Sequence, residues 1–360
     1  MTKPLASLFA GSVALFAITA ASACSPQGNG GAEPILSASS TAWVVVGQLP
    51  LPLESHQTVV LNDFLYILGG WNDAHGPYAE VFFTPMTPDG LENWQEASAA
   101  LPSRLQHHAA IAYGEALYVL GGDNGFWDGS TVSDRIYRAT PTAEGDITAW
   151  MEVGQLPIPL TVHAVTLVDN RLYVIGGSQT FRPGLTFEAT VLTATIADNG
   201  EVGAFQTLTP FPTPIGWLTA VAIDQQIFAL SGLTQFRPNQ LAAGVWVATT
   251  EEGPLSPFVA VNTVIPRQRH TTVLSDRTLV VVAGGGDQQV MTSVQAADID
   301  KQGNLTAWRD LAPLPGPRYA HAAFTYEGDV YVSGGFISYG SNETSRDIFR
   351  LSAMDVANPD

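Results

Sequence analysis

Residues 65–70 read LYILGG, and the string returns as LYVLGG (117–122), LYVIGG (172–177), IFALSG (227–232), VVVAGG (280–285) and VYVSGG (330–335). With Gly69, Gly121, Gly176, Ser231, Gly284 and Gly334 as reference positions, the copies lie 52, 55, 55, 53 and 50 residues apart. Self-similarity at a steady period marks a repeat architecture. A proline stands upstream of every copy, at Pro50, Pro102, Pro157, Pro212, Pro266 and Pro315. The distance to the reference position is 19 residues in five copies and 18 in the fifth. An aromatic residue stands seven or eight residues before each proline: Trp43, Trp94, Trp150, Phe205, Phe258 and Trp308. From the second glycine to the next aromatic the count varies from 23 to 28. One stretch is rigid in length and the other elastic, which is the behaviour of hydrogen-bonded strands joined by variable loops.

Each repeat reads as four strands. The aromatic opens one (AWVVVG, AWMEV), and a second follows the proline (HAAIAY, HAVTLV). A tight polar turn comes next, at Asn62-Asp63, Gly114-Glu115, Asp169-Asn170, Asp224-Gln225, Asp276-Arg277 and Gly328-Asp329, and leads into the glycine-tailed strand. The elastic stretch holds the last strand: VFFTPM (81–86), RIYRAT (135–140), ATVLTATI (189–196), VWVAT (245–249), VQAADI (294–299) and IFRLS (348–352). β-Branched and aromatic residues dominate most of these. The expectation is an all-β propeller of six four-stranded antiparallel blades over 42–353, with 354–360 as a C-terminal tail. Trp43 has no glycine string before it, and IFRLS has no aromatic after it. The N-terminal strand should therefore complete the blade that the C-terminal strand begins, closing the ring without an open blade.

The di-glycine, the tyrosine just before it (Tyr66, Tyr118, Tyr173, Tyr331) and the upstream Trp make this span resemble the kelch-repeat β-propellers. The fourth and fifth copies depart from the pattern, with Ser231-Gly232 and with VVVAGG. The resemblance implies a kelch-type propeller in which the loop after the proline faces a ligand-binding mouth.

Composition narrows the chemistry. The 360 residues hold 15 Lys+Arg against 33 Asp+Glu, a net charge of −18. That balance argues against nucleic acid, whose affinity comes largely from phosphate neutralisation. A single cysteine, Cys24, excludes an intrachain disulfide, a thiolate zinc cluster and an iron–sulfur centre. It also excludes a copper radical oxidase of the galactose oxidase type, which needs a Cys cross-linked to a Tyr. No GxSxG, HExxH, P-loop or dinucleotide fingerprint occurs, and no cofactor or metal is expected.

Residues 1–23 read as an export signal: Lys3, an apolar run from Leu5 to Ile18, then Ala21-Ser22-Ala23 as a cleavage site. Cys24 follows at once, and the junction resembles a bacterial lipobox, with Ala21 where that family prefers a larger aliphatic residue. The resemblance implies a lipidated Cys24, a membrane anchor, and residence in the cell envelope on the periplasmic face of the outer membrane or the cell surface. Residues 24–41 have the Gly, Ser and Pro content of a tether.

Six of the seven histidines fall in one window of the repeat: His56, His107, His108, His163, His270 and His321. Recurrence in most blades reads as scaffold. The arginines after the proline break the symmetry: Arg104, Arg267, Arg269 and Arg318 occur in blades two, five and six only. Such a residue can clamp a carboxylate in bidentate fashion, or be solvated or internally paired. The loops after the glycines offer Trp71, Trp127, Asp128, Phe181, Arg182, Phe236 and Arg237, and Trp217 stands in the proline loop of blade four. Aromatic faces beside polar groups suit a sugar or peptide, although the same rings could cap blade ends.

Two functions follow. The first is an envelope-tethered module binding a glycan, a peptide or a protein partner. The second is an enzyme resembling the periplasmic sialic-acid mutarotases, which are six-bladed kelch proteins acting on a small acidic sugar. Glu54 or Asp128 would then supply acid–base chemistry beside Arg104, Arg269 or Arg318.

Overall fold

The computed structural model describes residues 42–87, 90–91, 93–125, 131–181, 184–250, 253–340 and 343–357. Six four-stranded antiparallel sheets form a propeller. Blades one to five occupy 57–96, 109–155, 164–207, 219–263 and 271–311; blade six joins 322–351 to the N-terminal strand Trp43–Gln48. The expected closure is present. Trp43 pairs with Leu351 and Gln48 with Asp347, antiparallel, with a bulge between Val45 and Gly47. Neighbouring innermost strands touch all the way round, from blade one through blade six and back to blade one.

The glycine-tailed strands are second from the axis and covered on both faces, so they read as continuous apolar runs. Alternate residues serve opposite neighbours. Leu65 and Ile67 of blade one pack with Phe324 and Tyr331 of blade six. Tyr66 and Leu68, on the other face, pack with Leu117 and Val119 of blade two. Six such clusters, one at each junction between blades, make up the core, and each side chain they bury removes apolar surface from water. The recurrent indoles stitch the rim: Trp43 Nε1 donates to Ala312 O at 2.8 Å, Trp94 Nε1 to Gln48 O at 2.8 Å and Trp150 Nε1 to Ala99 O at 3.4 Å.

One backbone bond recurs at every junction and sets the true register of the repeat. The amide of the second residue in each glycine string donates to a carbonyl on the next blade. The pairs are Gly70 to Leu105, Gly122 to Leu160, Gly177 to Ile215, Gly232 to Arg267, Gly284 to Arg318 and Gly335 to Leu53, all between 2.8 and 2.9 Å. Gly284 is thus the second residue of its pair, and Ala283 takes the first place, with φ +45°. The sequence alignment of blade five is one residue out at this point. It is also two out at the proline, whose slot falls on Val264 rather than Pro266 when counted back from the innermost strand Thr271–Ser275.

Two smaller expectations are corrected. The sixth tight turn is Glu327-Gly328, between strands Ala322–Tyr326 and Asp329–Ser333. Residues 354–357, read as tail, belong to a helical turn, Ala353–Ala357, whose Val356 is buried in the cluster containing Trp43.

Candidate functional site

The innermost strands converge on the axis and begin with short side chains, among them Thr58, Ala110, Ala164, Ala220, Thr271 and Ala323, because six strands meeting there leave little room. They enclose a cavity of about 290 Å³ at one end of the channel. Its wall includes one residue from each blade in the left-handed conformation: Ser55, His107, Val162, Trp217, Arg269 and Ala320, with φ between 49° and 55°. None is glycine, so each carries strain of about 1–2 kcal/mol. The strain is offset by a collar of backbone bonds. Ser55 N donates to Ala320 O (2.8 Å), His107 to Ser55 (3.4 Å), Val162 to His107 (3.2 Å), Trp217 to Val162 (2.9 Å) and Ala320 to Arg269 (2.9 Å). At the remaining step, Arg269 lays its guanidinium over the Trp217 ring, 4.4 Å from the centroid.

The backbone is six-fold here and the side chains are not. The next residue shows the contrast: His56, His108, His163, Leu218, His270 and His321. Most sit with Cβ close against the second glycine of their own blade, and His56, His108 and His163 also press the ring on the first glycine of the preceding one. Three bond across the junction: His56 to Ser333 (2.9 Å), His270 to Thr219 (3.0 Å) and His321 to Thr271 (2.9 Å). Burial drives their pKa values down, to about 3 for His56, His108 and His321 and about 4 for His163, and His270 also falls well below 6.5. These five are neutral wedges between blades. Among the described residues no group of three or more His, Cys, Asp or Glu side chains is placed to hold a metal ion.

His107 is different. It sits one position earlier, on the collar. Its Nδ1 lies 3.0 Å from Asp123 Oδ2, and its ring packs against Phe181 (4.7 Å) and Trp217 (6.0 Å). Asp123 is fully buried and takes three more hydrogen bonds: Thr161 Oγ1 at 2.6 Å, Gln106 Nε2 at 2.9 Å and the Gly125 amide at 2.9 Å. Burial raises its pKa, but His107 and these hydrogen bonds outweigh that and hold it below the usual carboxylate value. Glu54 behaves oppositely. Its burial raises the pKa against the pull of His107, Arg269 and the Ser55 hydroxyl, which donates to Glu54 Oε2.

The four arginines singled out in the sequence do not converge. Arg267 and Arg318 are buried in the slot that Leu53, Leu105, Leu160 and Ile215 fill elsewhere. Arg267 spends its donors on Ile265 O (3.0 Å), Ala283 O (3.0 Å), Ser293 O (3.3 Å) and Gln295 Oε1 (2.9 Å). Arg318 bonds Pro317 O and Ser345 Oγ, lies 3.6 Å from Asp347 and stacks on Phe349. Arg104 is exposed. Only Arg269 lines the cavity, and it has no ion pair among the described residues.

The aromatics divide. Trp217, buried, lines the cavity, and its Nε1 has no partner among the described residues. It anchors an apolar cluster with Phe181, Val162 and Leu233, against which Phe236 is half-buried. Arg237 is exposed, stacked on Phe236 at 5.0 Å. Trp71 stands outside the cavity wall, 6.1 Å from Phe336, which stacks on Tyr319. Tyr319 also lies 5.9 Å from the Arg269 guanidinium. Trp127, Asp128, Arg182 and Cys24 lie outside the described residues. His107 and Tyr319 were not legible as site residues. Counting back from the innermost strand rather than from the proline would have placed His270 with the wedges and left His107 alone one position earlier.

The chain is a six-bladed β-propeller of four-stranded antiparallel blades, and its relatives include proteins named for kelch repeats. No family model matches the chain. Among curated proteins it is 22% identical over 317 residues to Kelch-like protein terF of Aspergillus terreus, covering 84% of this chain and 65% of that protein. It is 25% identical over 141 residues to β-scruin of Limulus polyphemus and 27% identical over 146 residues to Kelch-like protein 15 of Mus musculus, each covering 38% of this chain. The chain spans 14%, 65% and 24% of the lengths of β-scruin, terF and Kelch-like protein 15. A solved structure, that of YjhT, superposes with TM-score 0.69 at 13% identity, covering 85% of this chain and 96% of its own.

Proposed function

We propose that the chain is a binding module whose recognition site is the collar, and that the ligand carries an anionic group received by Arg269. The carrying observation is that guanidinium, stacked on Trp217 and without an ion pair among the described residues, in a protein of net charge −18. A half-buried cation on an aromatic face is suited to a carboxylate on a glycan, a peptide or a partner protein's side chain. The kelch-named relatives agree with an interaction module. The export signal and Cys24 add an address: the propeller is held at the cell envelope by its N-terminal lipid. The test is a thermal-shift and NMR screen of carboxylated sugars and acidic peptides, with pull-down from envelope extract. Binding that is lost in Arg269→Ala and kept in Arg104→Ala supports the site; binding indifferent to Arg269→Ala sinks it.

A second reading, a mutarotase acting on an acidic sugar, is favoured by Glu54. Burial raises its carboxyl against the pull of Arg269, and in this reading Glu54, buried beside the collar residue Ser55, exchanges a proton with an anomeric hydroxyl. Accelerated anomer exchange measured by NMR, and abolished in Glu54→Gln, distinguishes catalysis from binding alone.

A further inference from the structure

We propose that His107 is the hydrogen-bond acceptor of the mouth: Asp123 locks its Nε2 as a bare lone pair, which receives a hydroxyl of the ligand whose anionic group lies on Arg269. This rests on the reading of the collar as a binding site and adds the group that receives a hydroxyl of the ligand.

The chemistry is dictated by Asp123. Its carboxylate receives three donors besides His107 and has its pKa held down, so it is ionised and can only accept. The atom facing it, His107 Nδ1, must therefore donate. In a neutral imidazole the other nitrogen is then an acceptor. His107 lines the cavity, is only 8% exposed, and its Nε2 has no partner among the described residues. A buried acceptor left unmade is costly, and a ligand hydroxyl would recover that cost. Trp217 joins this acceptor to the anion site, with the His107 ring 6.0 Å from one side and Arg269 4.4 Å from its face. A ligand with both a hydroxyl and a carboxylate would engage both sides of that ring. Asp123 touches no ligand in this arrangement and acts as a positioning residue.

Long-range proton–nitrogen NMR of the intact labelled protein reads the tautomer without a ligand, and His107→Phe assigns the resonance. The expected result is a proton on Nδ1 alone near neutral pH; a proton on Nε2, or on both nitrogens, overturns the proposal. Asp123→Asn can donate its amide to Nδ1 and so reverse the tautomer. Quinate and cyclohexanecarboxylate share a ring and a carboxylate, and only quinate has hydroxyls. Wild type should bind quinate about tenfold tighter, and Asp123→Asn should cancel that preference while leaving cyclohexanecarboxylate within about twofold. Should Asp123→Asn fail to fold, His107→Phe removes the acceptor and keeps a ring against Phe181, with the same expected loss of preference. Equal affinity for the two acids in wild type, or no binding of either, overturns the acceptor role. If other carboxylates still bind through Arg269, the collar remains a binding site.

Discussion

Arg267 occupies a slot that four other blades fill with leucine or isoleucine, and its guanidinium has become the polar core of blade five. Burial pulls its pKa down to about 10, still protonated at neutral pH, and its donors all end on oxygens of the same blade's frame. Truncation should be costly for two reasons, a void and orphaned acceptors. Arg267→Ala is expected to lose about 3–5 kcal/mol in urea unfolding, and Arg267→Leu, which refills the void, about 1–3 kcal/mol. Equal losses would mean that shape is irrelevant there. The wedge histidines make a second prediction. Their folded pKa values lie below the unfolded 6.5, so the unfolded chain takes up protons first as pH falls. Stability is complete above that value and drains as pH drops toward the folded pKa, by about 1.4 kcal/mol per pH unit for each ring in its window. His163 suits the test, because neither ring nitrogen has a partner among the described residues and Leu218 fills the same place in blade four. His163→Leu should keep Tm near neutrality and flatten its fall between pH 6.5 and about 4. An unchanged slope would show that His163 is already charged in the fold.

The strand Trp43–Gln48 is the element on which closure depends. It supplies the outer edge of blade six, and Trp43 sits 3% exposed in the cluster between blades five and six. Emptying that place costs about 3–5 kcal/mol, which corresponds to a Tm loss of roughly 4–7 °C for a chain of this size. Deleting residues 42–48 should cost at least that much by calorimetry; an unaltered Tm would mean the ring holds without its latch. The strands themselves were legible because their signals are local and repeated: a Trp, a proline, a polar turn, an apolar run. The slip in blade five has a physical cause. The backbone needs a left-handed residue at the first position of the string, and Ala283 meets that need without being glycine, so the visible Gly284-Gly285 pair points one residue too far. Pro266 misleads in the same way, because the slot it imitates is held by Val264.

At the scale of the molecule, the mouth was the part hardest to read. The collar is defined by backbone geometry that no residue type announces, and six unlike side chains share it. Charge, by contrast, is a property of the whole chain, and it decides how the propeller can stay at a membrane. A body of net charge −18 is repelled by anionic headgroups. Among the described residues no helix is long and apolar enough to cross a bilayer. In the function proposed above, attachment rests on acyl chains at Cys24, where two chains give a stable anchor and one does not. The wild-type protein is expected in the membrane fraction, resistant to high salt because no ionic contact holds it, and released by detergent. Cys24→Ser should move it to the soluble fraction without altering the propeller's Tm, since residue 24 precedes the first strand. Release of the wild type by salt alone, or retention of Cys24→Ser on membranes, would show that something other than a lipid on Cys24 holds the propeller there.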